Sequence, residues 1–370
     1  MLITITGAAP ATVRPRRRHL WFRSLGEAAA AWDMPLVVTP PAVAVKGLPD
    51  HVTGWMYAGE AGWQRRRLVV PERAVVYDAM YLEDLRHHRR AHRRLTETLA
   101  ECGIAAFNPV LPPKDEVYRL ILADRAARDV LPPTRFRVTP RAFLQLAEAW
   151  GAAWWKPVYG SGGRNMLFVR PLARGRWYVA GERFFGRAIR REMDREDLLR
   201  LLSFSLRHRR YMAQGHIPLW RLEDGRLLDL RVTVQCDHDG RWGVLAVTGR
   251  SAARGAMVTN YHAGGRVQSL TRPTEAQWIA LKRAGVDEET LDRAGRRALR
   301  VARTLQRTFP TLGVLGVDVG GSQGEDRCYV YDVNSRPGRD ILTDAELVAF
   351  ARGVAGFAHH LLLRPGSQRT

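Results

Sequence analysis

Two stretches of this chain carry the residue types that chemistry needs. In GVLGVDVGGSQGEDRCYVYDVNSRPG (313–338), two apolar runs flank a polar, glycine-rich turn, the pattern of a β-hairpin. Strand alternation puts Leu315, Val317 and Val319 on one face of the first run and Asp318 on the other. In the second run it groups Val330, Asp332 and Asn334, with Tyr331 and Val333 opposite. Two carboxylates and an amide thereby meet on one sheet surface. Such an oxygen-only set suits Mg²⁺, which takes one or two carboxylates and completes its octahedron with water and phosphate oxygens. An antiparallel hairpin with one solvated face shows the same alternation, so the pattern alone leaves both readings open.

The second stretch is YGSGGRN (159–165), set between two apolar runs. Gly160, Gly162 and Gly163 permit close backbone approach, so that successive N–H groups converge on a phosphate oxygen. No Gly-Lys-Ser/Thr follows, which excludes a Walker loop. Asn165 stands where a dinucleotide fingerprint needs its third glycine. A plain hairpin turn is the alternative. Lys156 precedes the loop, and it is one of only four lysines (46, 114, 156 and 282) in a chain that otherwise uses arginine. An ammonium there would meet the same phosphates, and Lys114 earns the same attention more weakly. Arg231 and Arg250 interrupt the apolar runs LLDLRVTV and VLAVTGRSA. They either line a polar strand face or turn two guanidinium forks toward phosphate or carboxylate oxygens. Asn260 and His262 lie on a nearby glycine-rich turn, where a histidine is more often a surface residue than a base.

The elements that must position these groups follow from periodicity. Residues 1–112 are expected to form a small α/β unit, with LITIT and PLVVTP as short buried strands. Basic clusters fall at 16–18, 65–67 and 86–94, the last on a helix whose stripe is Leu82, Leu85, Leu95 and Leu99. NPVLPPK (108–114) is a proline-rich joint. Helices are expected over 115–128, 140–150, 195–207, 288–308 and 344–363, and strands dominate from residue 211. The expected division is 1–112, 113–212 and 213–370.

Composition bounds the rest. A chain of 370 residues with 46% hydrophobic content holds two or three cores. No run is apolar for long enough to span a bilayer, and the N-terminal charge follows the apolar run rather than preceding it as in a secretory signal. Cys102, Cys236 and Cys328 show no paired spacing, which argues against a disulfide framework or zinc and fits a cytoplasmic location. The net charge of +21 comes almost wholly from arginine. A GC-rich genome accounts for that bias as readily as a polyanion surface does, although the field draws anions in either case.

The ordered set of motifs resembles the ATP-grasp ligases. Lys114 comes first, then Lys156 with its glycine-rich loop, then Gln214 and Ile217 in Gln-x-x-Ile. Asp229 and Arg231, Arg250, Thr-Asn…Gly-Gly (259–265), Gly-Val-Asp (316–318) and Asp-x-Asn-x-x-Pro-Gly (332–338) follow. Within that superfamily the set looks most like the endospore coat-associated, YheC/YheD-like branch, over about residues 108–345. The resemblance implies an α+β fold of two lobes closing over ATP, preceded by a small α/β domain. It implies that Lys114 and Lys156 hold the α- and β-phosphates, that Ser161, Gly162 and Gly163 form the lid, and that Gln214 to Ile217 border adenine. By the same resemblance Asp318, Asp332 and Asn334 hold Mg²⁺, and Arg231 and Arg250 face the transferred phosphoryl group. Many members carry Glu where this chain has Asp332, which puts bidentate bridging of two ions in doubt.

The implied activity is ATP- and Mg²⁺-dependent carboxylate–amine ligation, with an acidic small molecule or peptide as substrate and a spore association by resemblance only. One alternative is an ATP-grasp protein that binds nucleotide or an acidic polymer without turnover. An arginine-rich nucleic-acid binder ranks last, because the basic clusters lack interleaved aromatics and no reading helix is recognisable.

Overall fold

Among the described residues the apolar runs assemble into three six-stranded sheets. The computed structural model describes residues 1–10, 16–160, 162–259, 264–322 and 327–364. In the first sheet the order is Trp63–Val69, His51–Tyr57, Leu36–Thr39, Leu2–Ile5, Val75–Asp78, Ala105–Phe107. The last four strands are parallel, and the two outer ones form an antiparallel hairpin that sequence periodicity did not reveal. Every residue of Leu2–Ile5 and Leu36–Thr39 is buried, because helices cover both faces of a parallel sheet. Leu2, Leu36 and Val75 pack with Trp21 and Leu25 of helix Arg16–Ala30. Ile3, Val37 and Val76 pack with Leu95 and Leu99 of helix Leu82–Glu101 on the other side.

The second sheet is antiparallel, in the order Arg187–Met193, Trp177–Phe184, Leu167–Pro171, Ala153–Pro157, Tyr211–Gly215, Thr134–Phe136. One face is closed by helices Pro140–Ala149 and Arg195–His208, whose Phe143, Leu144, Leu198 and Leu202 meet Trp155, Leu167 and Val169. Side chains that accept from backbone N–H groups start both helices, Thr139 from Ala142 and Asp194 from Asp197. The opposite face carries Trp154, Lys156 and Phe168. The expected division at 212/213 falls within the strand Tyr211–Gly215.

The third sheet runs Arg266–Ser269, Trp242–Ser251, Leu227–Cys236, Val314–Gly321, Cys328–Asn334, again antiparallel, with Trp220–Arg221 paired to Leu227 and Leu228. Its apolar face, with Leu230, Val232, Val317 and Val330, packs in one core with Ala298 and Val301 of helix Glu288–Thr308 and Phe350 and Val354 of helix Asp344–Leu363. Both helices have the bounds periodicity predicts. The helix expected over 115–128 is shorter, Lys114–Ala123, because Asp124 takes an extended conformation that ends it. Helix Glu275–Arg283, started by a Thr274/Gln277 capping box, was not expected. Among the described residues no helix is long and apolar enough to cross a membrane.

Candidate active site

The acidic hairpin departs from simple alternation at one residue, and the departure builds the site. Asp318 lies opposite Asp332, but Val319 lies opposite Val330, so Tyr331 is the extra residue of a β-bulge. Val330 therefore joins Val317 and Val319 in the core. It does not share a face with Asp332 and Asn334, and Tyr331 is not turned away from them. Alternation assumes a period of two, and one inserted residue inverts every assignment beyond it. Asp332 and Asp318 still face each other, as the sequence predicts.

Tyr331 uses its position at both ends. Its hydroxyl donates to Asp229, and its carbonyl accepts from Lys156 Nζ at 2.8 Å and from the Tyr118 hydroxyl. Asp229 is fully buried and accepts from Arg250 Nε and Nη2 at 2.8 and 2.7 Å and from the Thr259 hydroxyl. Arg250 Nη2 also lies 2.9 Å from Asp318, whose carboxylate receives Arg231 through Nε and, at 3.2 Å, Nη2. The expectation that Arg231 and Arg250 present open forks to a cleft is thus modified: both forks are engaged by carboxylates. Glycine at 316 is required, since a Cβ there would stand 3.1 Å from Arg231 Cδ and 2.9 Å from Pro337 Cβ. Burial by itself would raise the Asp318 pKa, but Arg231 and Arg250 overcome it and hold the carboxyl well below the usual range. Burial likewise opposes the Arg250 charge, and Asp229 and Asp318 more than offset it, so its pKa stands well above the ordinary value.

Lys156 sits on the inner face of the second sheet, 4% exposed, and donates to Gln214 Oε1 at 2.8 Å. Desolvation, reinforced by the charge of Lys114, brings its pKa down to about 7. Lys114 opens helix Lys114–Ala123 and pairs through Nζ with Asp332, which ties the proline-rich joint to the acidic hairpin. Beside Lys156 opens a cleft of about 440 Å³. Trp154, Phe168, Tyr178, Met257 and Val258 line it together with Gln214, Ile217 and Tyr331, which matches the size and apolar lining of a small-ligand site. The Gln214 amide is spent on Lys156 and on Thr134, at 3.4 Å, so this side chain orients the lysine. His216, two residues further along the chain, accepts from Trp154 Nε1 at 3.2 Å, and burial pushes its pKa down to about 4.

Gly160, Gly162 and Gly163 all have positive φ (125°, 66° and 70°), a backbone that a plain glycine turn and a close-approach loop use alike. Asn165 adopts φ 60°, the left-handed conformation in which asparagine substitutes for glycine, and its Oδ1 accepts from Phe185 N at 2.7 Å. A Cβ on Gly163 would stand 3.2 Å from Val258, so the loop lies against a lining residue of the cleft. Ser161, Asn260 and His262 lie outside the described residues.

Asp318 and Asp332 are aligned across adjacent strands, and Asn334 Oδ1 keeps an acceptor lone pair after receiving Arg336 N–H at 2.8 Å. Among the described residues no three His, Cys, Asp or Glu side chains cluster as a metal cage. Two carboxylates and an amide oxygen fit an ion that retains water and substrate oxygens, as Mg²⁺ does. Lysine and arginine partners now neutralise both carboxylates, and an incoming cation would take over that role. Of the residues singled out from sequence, the structure brings together Lys114, Lys156, Gln214, Arg231, Arg250, Asp318 and Asp332. Sequence reasoning missed Tyr331 and Tyr118. For Asp229 the signal was present, since Asp-x-Arg places both side chains on one strand face.

A model of the YheC/D-like ATP-grasp family matches residues 103–359. The endospore coat-associated protein YheD of Bacillus subtilis (strain 168) is 25% identical over 308 residues, which cover 80% of this chain and 63% of the relative. The chain therefore spans less than two thirds of that relative's length. The D-cycloserine synthetase DcsG aligns with a TM-score of 0.50 at 12% identity, covering 96% of this chain and 99% of that one. The ATP-grasp ligase PsnB, complexed with minimal precursor, Mg and ADP, aligns with a TM-score of 0.48 at 16% identity, covering 96% and 98%.

Proposed function

The chain belongs to the YheC/D-like ATP-grasp family, and from that premise we propose that it is an ATP- and Mg²⁺-dependent ligase that joins a carboxylate to an amine through an acylphosphate. The observation that carries this reading is the meeting of Lys114, Lys156, Arg231 and Arg250 with Asp318 and Asp332 beside an apolar cleft. In the proposed cycle the base lies among Trp154, Phe168 and Ile217, and Lys114 and Lys156 hold the phosphates. The loop containing Ser161, Gly162 and Gly163 closes over them. A substrate carboxylate oxygen attacks the γ-phosphorus, the bond from that phosphorus to the β-bridging oxygen breaks, and ADP leaves. The amine lone pair then attacks the acyl carbon, phosphate departs with the carbon–oxygen bonding pair, and the nitrogen loses its proton to phosphate or solvent. Arg231 and Arg250 stabilise charge on the transferring group, since phosphoryl transfer depends on positioning and charge neutralisation more than on covalent help. Bound at Asp318, Asp332 and Asn334, Mg²⁺ would neutralise the phosphate oxygens.

The products test the reaction type. Incubated with ATP, Mg²⁺ and a panel of carboxylic acids and amines, the wild type is expected to release ADP and phosphate. Arg250→Lys keeps the charge but loses the planar fork, so it should bind ATP within a few-fold of wild type and lose most of its turnover. AMP and pyrophosphate among the wild-type products would mean attack at the α-phosphate and would overturn the assignment.

Lys156 gives the site a pH signature. Phosphate favours the ammonium, so the free lysine must take up a proton to bind once the pH exceeds about 7. Nucleotide affinity is expected to fall by about tenfold per pH unit above that point, the limit for one linked proton. Calorimetry in buffers of different ionisation enthalpy should show the uptake, and Lys156→Ala should abolish it. The same shift acts on folding with a fixed sign. The unfolded lysine binds the proton that the folded one has lost, so this residue's destabilising contribution is full below pH 7 and relieved between about 7 and 10.5. Buffer-independent heats for the wild type would remove Lys156 from the phosphate site.

The engagement of both metal-site carboxylates by cations supports a second reading, nucleotide binding without turnover. Affinity unaffected by Mg²⁺, with no hydrolysis over the same panel, would favour it. We further propose that residues 1–112 act as a unit distinct from two lobes that divide just past Gly215. The substrate is proposed to be an acidic small molecule or peptide rather than nucleic acid, in keeping with the positive field. A spore association is proposed from the relative's name alone, and a cytoplasmic site of action from the cysteine pattern.

A further inference from the structure

The proline-rich joint that begins at Asn108 has a feature the proposed reaction does not use. Asn108 is 2% exposed and takes φ 64°, a conformation asparagine tolerates better than other non-glycine residues. Its side-chain oxygen accepts from the backbone N–H groups of Gly313 and Val314 at 3.3 and 2.8 Å, where the first strand of the metal hairpin begins. Its Nδ2 donates to the carbonyl of Ser335, where the second strand ends. One carboxamide thus spans the open end of the hairpin and takes up a backbone group from each strand. Its own N–H donates to Thr311 O at 3.0 Å, which anchors the joint to the same segment.

We propose that Asn108 is a positioning residue for the metal site, setting the offset between the two strands and hence the separation of Asp318 from Asp332 and Asn334. The inference rests on the reading of the hairpin as the Mg²⁺ site. Its physical basis is that an antiparallel ladder is held by repeating, interchangeable hydrogen bonds, and register must be pinned by something outside the repeat. The bulge at Tyr331 makes this hairpin especially dependent on such a pin, because two of its residues already oppose one and a further slip would separate the carboxylates. Asn108 itself sits at the opposite end of the ladder from the turn, and its hydrogen bonds go to Gly313, Val314, Ser335 and Thr311 rather than to the proposed ligands.

The test uses the full chain with Mn²⁺ as a paramagnetic substitute, its binding followed by electron paramagnetic resonance in the presence of ADP. Asn108→Gly keeps the left-handed backbone and removes the carboxamide. Asn108→Asp keeps the acceptor toward Gly313 and Val314 but sets a carboxylate against the Ser335 carbonyl. Both variants are expected to weaken Mn²⁺ binding tenfold or more. Metal-free ADP affinity should fall several-fold less than Mn²⁺ affinity, because Lys156 lies in another sheet and keeps Gln214 as a partner even where its contact with the Tyr331 carbonyl shifts. A purely structural role would lower both affinities together. Mn²⁺ affinity within twofold of wild type in a folded variant, or parallel loss of metal and ADP binding, would overturn the assignment. Failure of both variants to fold would do so too, by making the residue a determinant of the fold. A wild type that binds ADP but no Mn²⁺ would overturn the metal reading itself and this inference with it, a result distinguishable from variant-specific failure.

Discussion

Asp229→Ala is expected to destabilise the protein by about 3–5 kcal/mol, the range for removing one partner of a buried ion pair. Asp229 is 0% exposed and receives two guanidinium N–H groups and the hydroxyls of Thr259 and Tyr331. Its loss leaves Asp318 as the carboxylate partner of Arg250 and takes the acceptor from two hydroxyl donors. Attraction between the ions is not the main term. A buried pair contributes little net stability because desolvation offsets it, whereas an uncompensated buried charge is costly. Asp229→Asn should recover part of the loss by retaining an acceptor for one donor. Urea denaturation of the three proteins, with the slope checked for constancy, measures this directly. A loss below about 1 kcal/mol would show that Asp318 can neutralise both arginines, and Asp229 would then not be the organiser of this network. In the same experiment Asp318 predicts acid sensitivity. Its pKa is depressed in the fold, so its stabilising contribution is present above the unfolded value of 3.8 and lost as the pH falls through the folded value.

Asp332→Asn is expected to abolish most turnover while leaving the fold intact. The side chain is 27% exposed and asparagine is nearly isosteric with it, so only a small change in denaturation midpoint is expected. Turnover should fall on the order of 10²–10³-fold, corresponding to about 3–4 kcal/mol of lost charge stabilisation at the transferring group. A second consequence distinguishes this variant from a general defect. Asp332 is one of the two carboxylates that raise the Lys156 pKa against desolvation and the charge of Lys114. Without it the lysine should lose its proton at lower pH, so the fall in nucleotide affinity should begin below 7. Steady-state rates across Mg²⁺ concentrations, together with the pH dependence of binding, check both parts. Retention of most of the wild-type rate at unchanged Mg²⁺ dependence would leave the hairpin with a structural role only.

Much of this architecture was legible along the chain. Helices Glu288–Thr308 and Asp344–Leu363 matched the periodicity because a 20-residue amphipathic pattern averages over many positions. Asp318 and Asp332 face each other as expected because the bulge at Tyr331 falls before Asp332, so the local alternation of Asp332 and Asn334 still holds. The order of lysine, glycine loop, arginines and acidic hairpin was likewise a property of the sequence, and it identified the family that the comparisons support.

What the chain alone did not contain was the identity of the partners. Lys114 and Asp332 are separated by 218 residues, and Arg250 and Tyr331 by 81, so no local pattern couples them. The bulge at Tyr331 was hidden for a related reason: whether a strand holds one residue too many depends on the strand opposite, and only the paired register reveals it. The outer hairpin of the first sheet escaped because its edge strand Trp63–Val69 is largely exposed and arginine-rich, which removes the apolar alternation that marks a strand. Sequence by itself determined which chemical groups the site contains and the order in which the chain delivers them. Tertiary structure decided which carboxylate neutralises which cation, because burial sets the cost of every unpaired charge and only the packed sheets determine what is buried together.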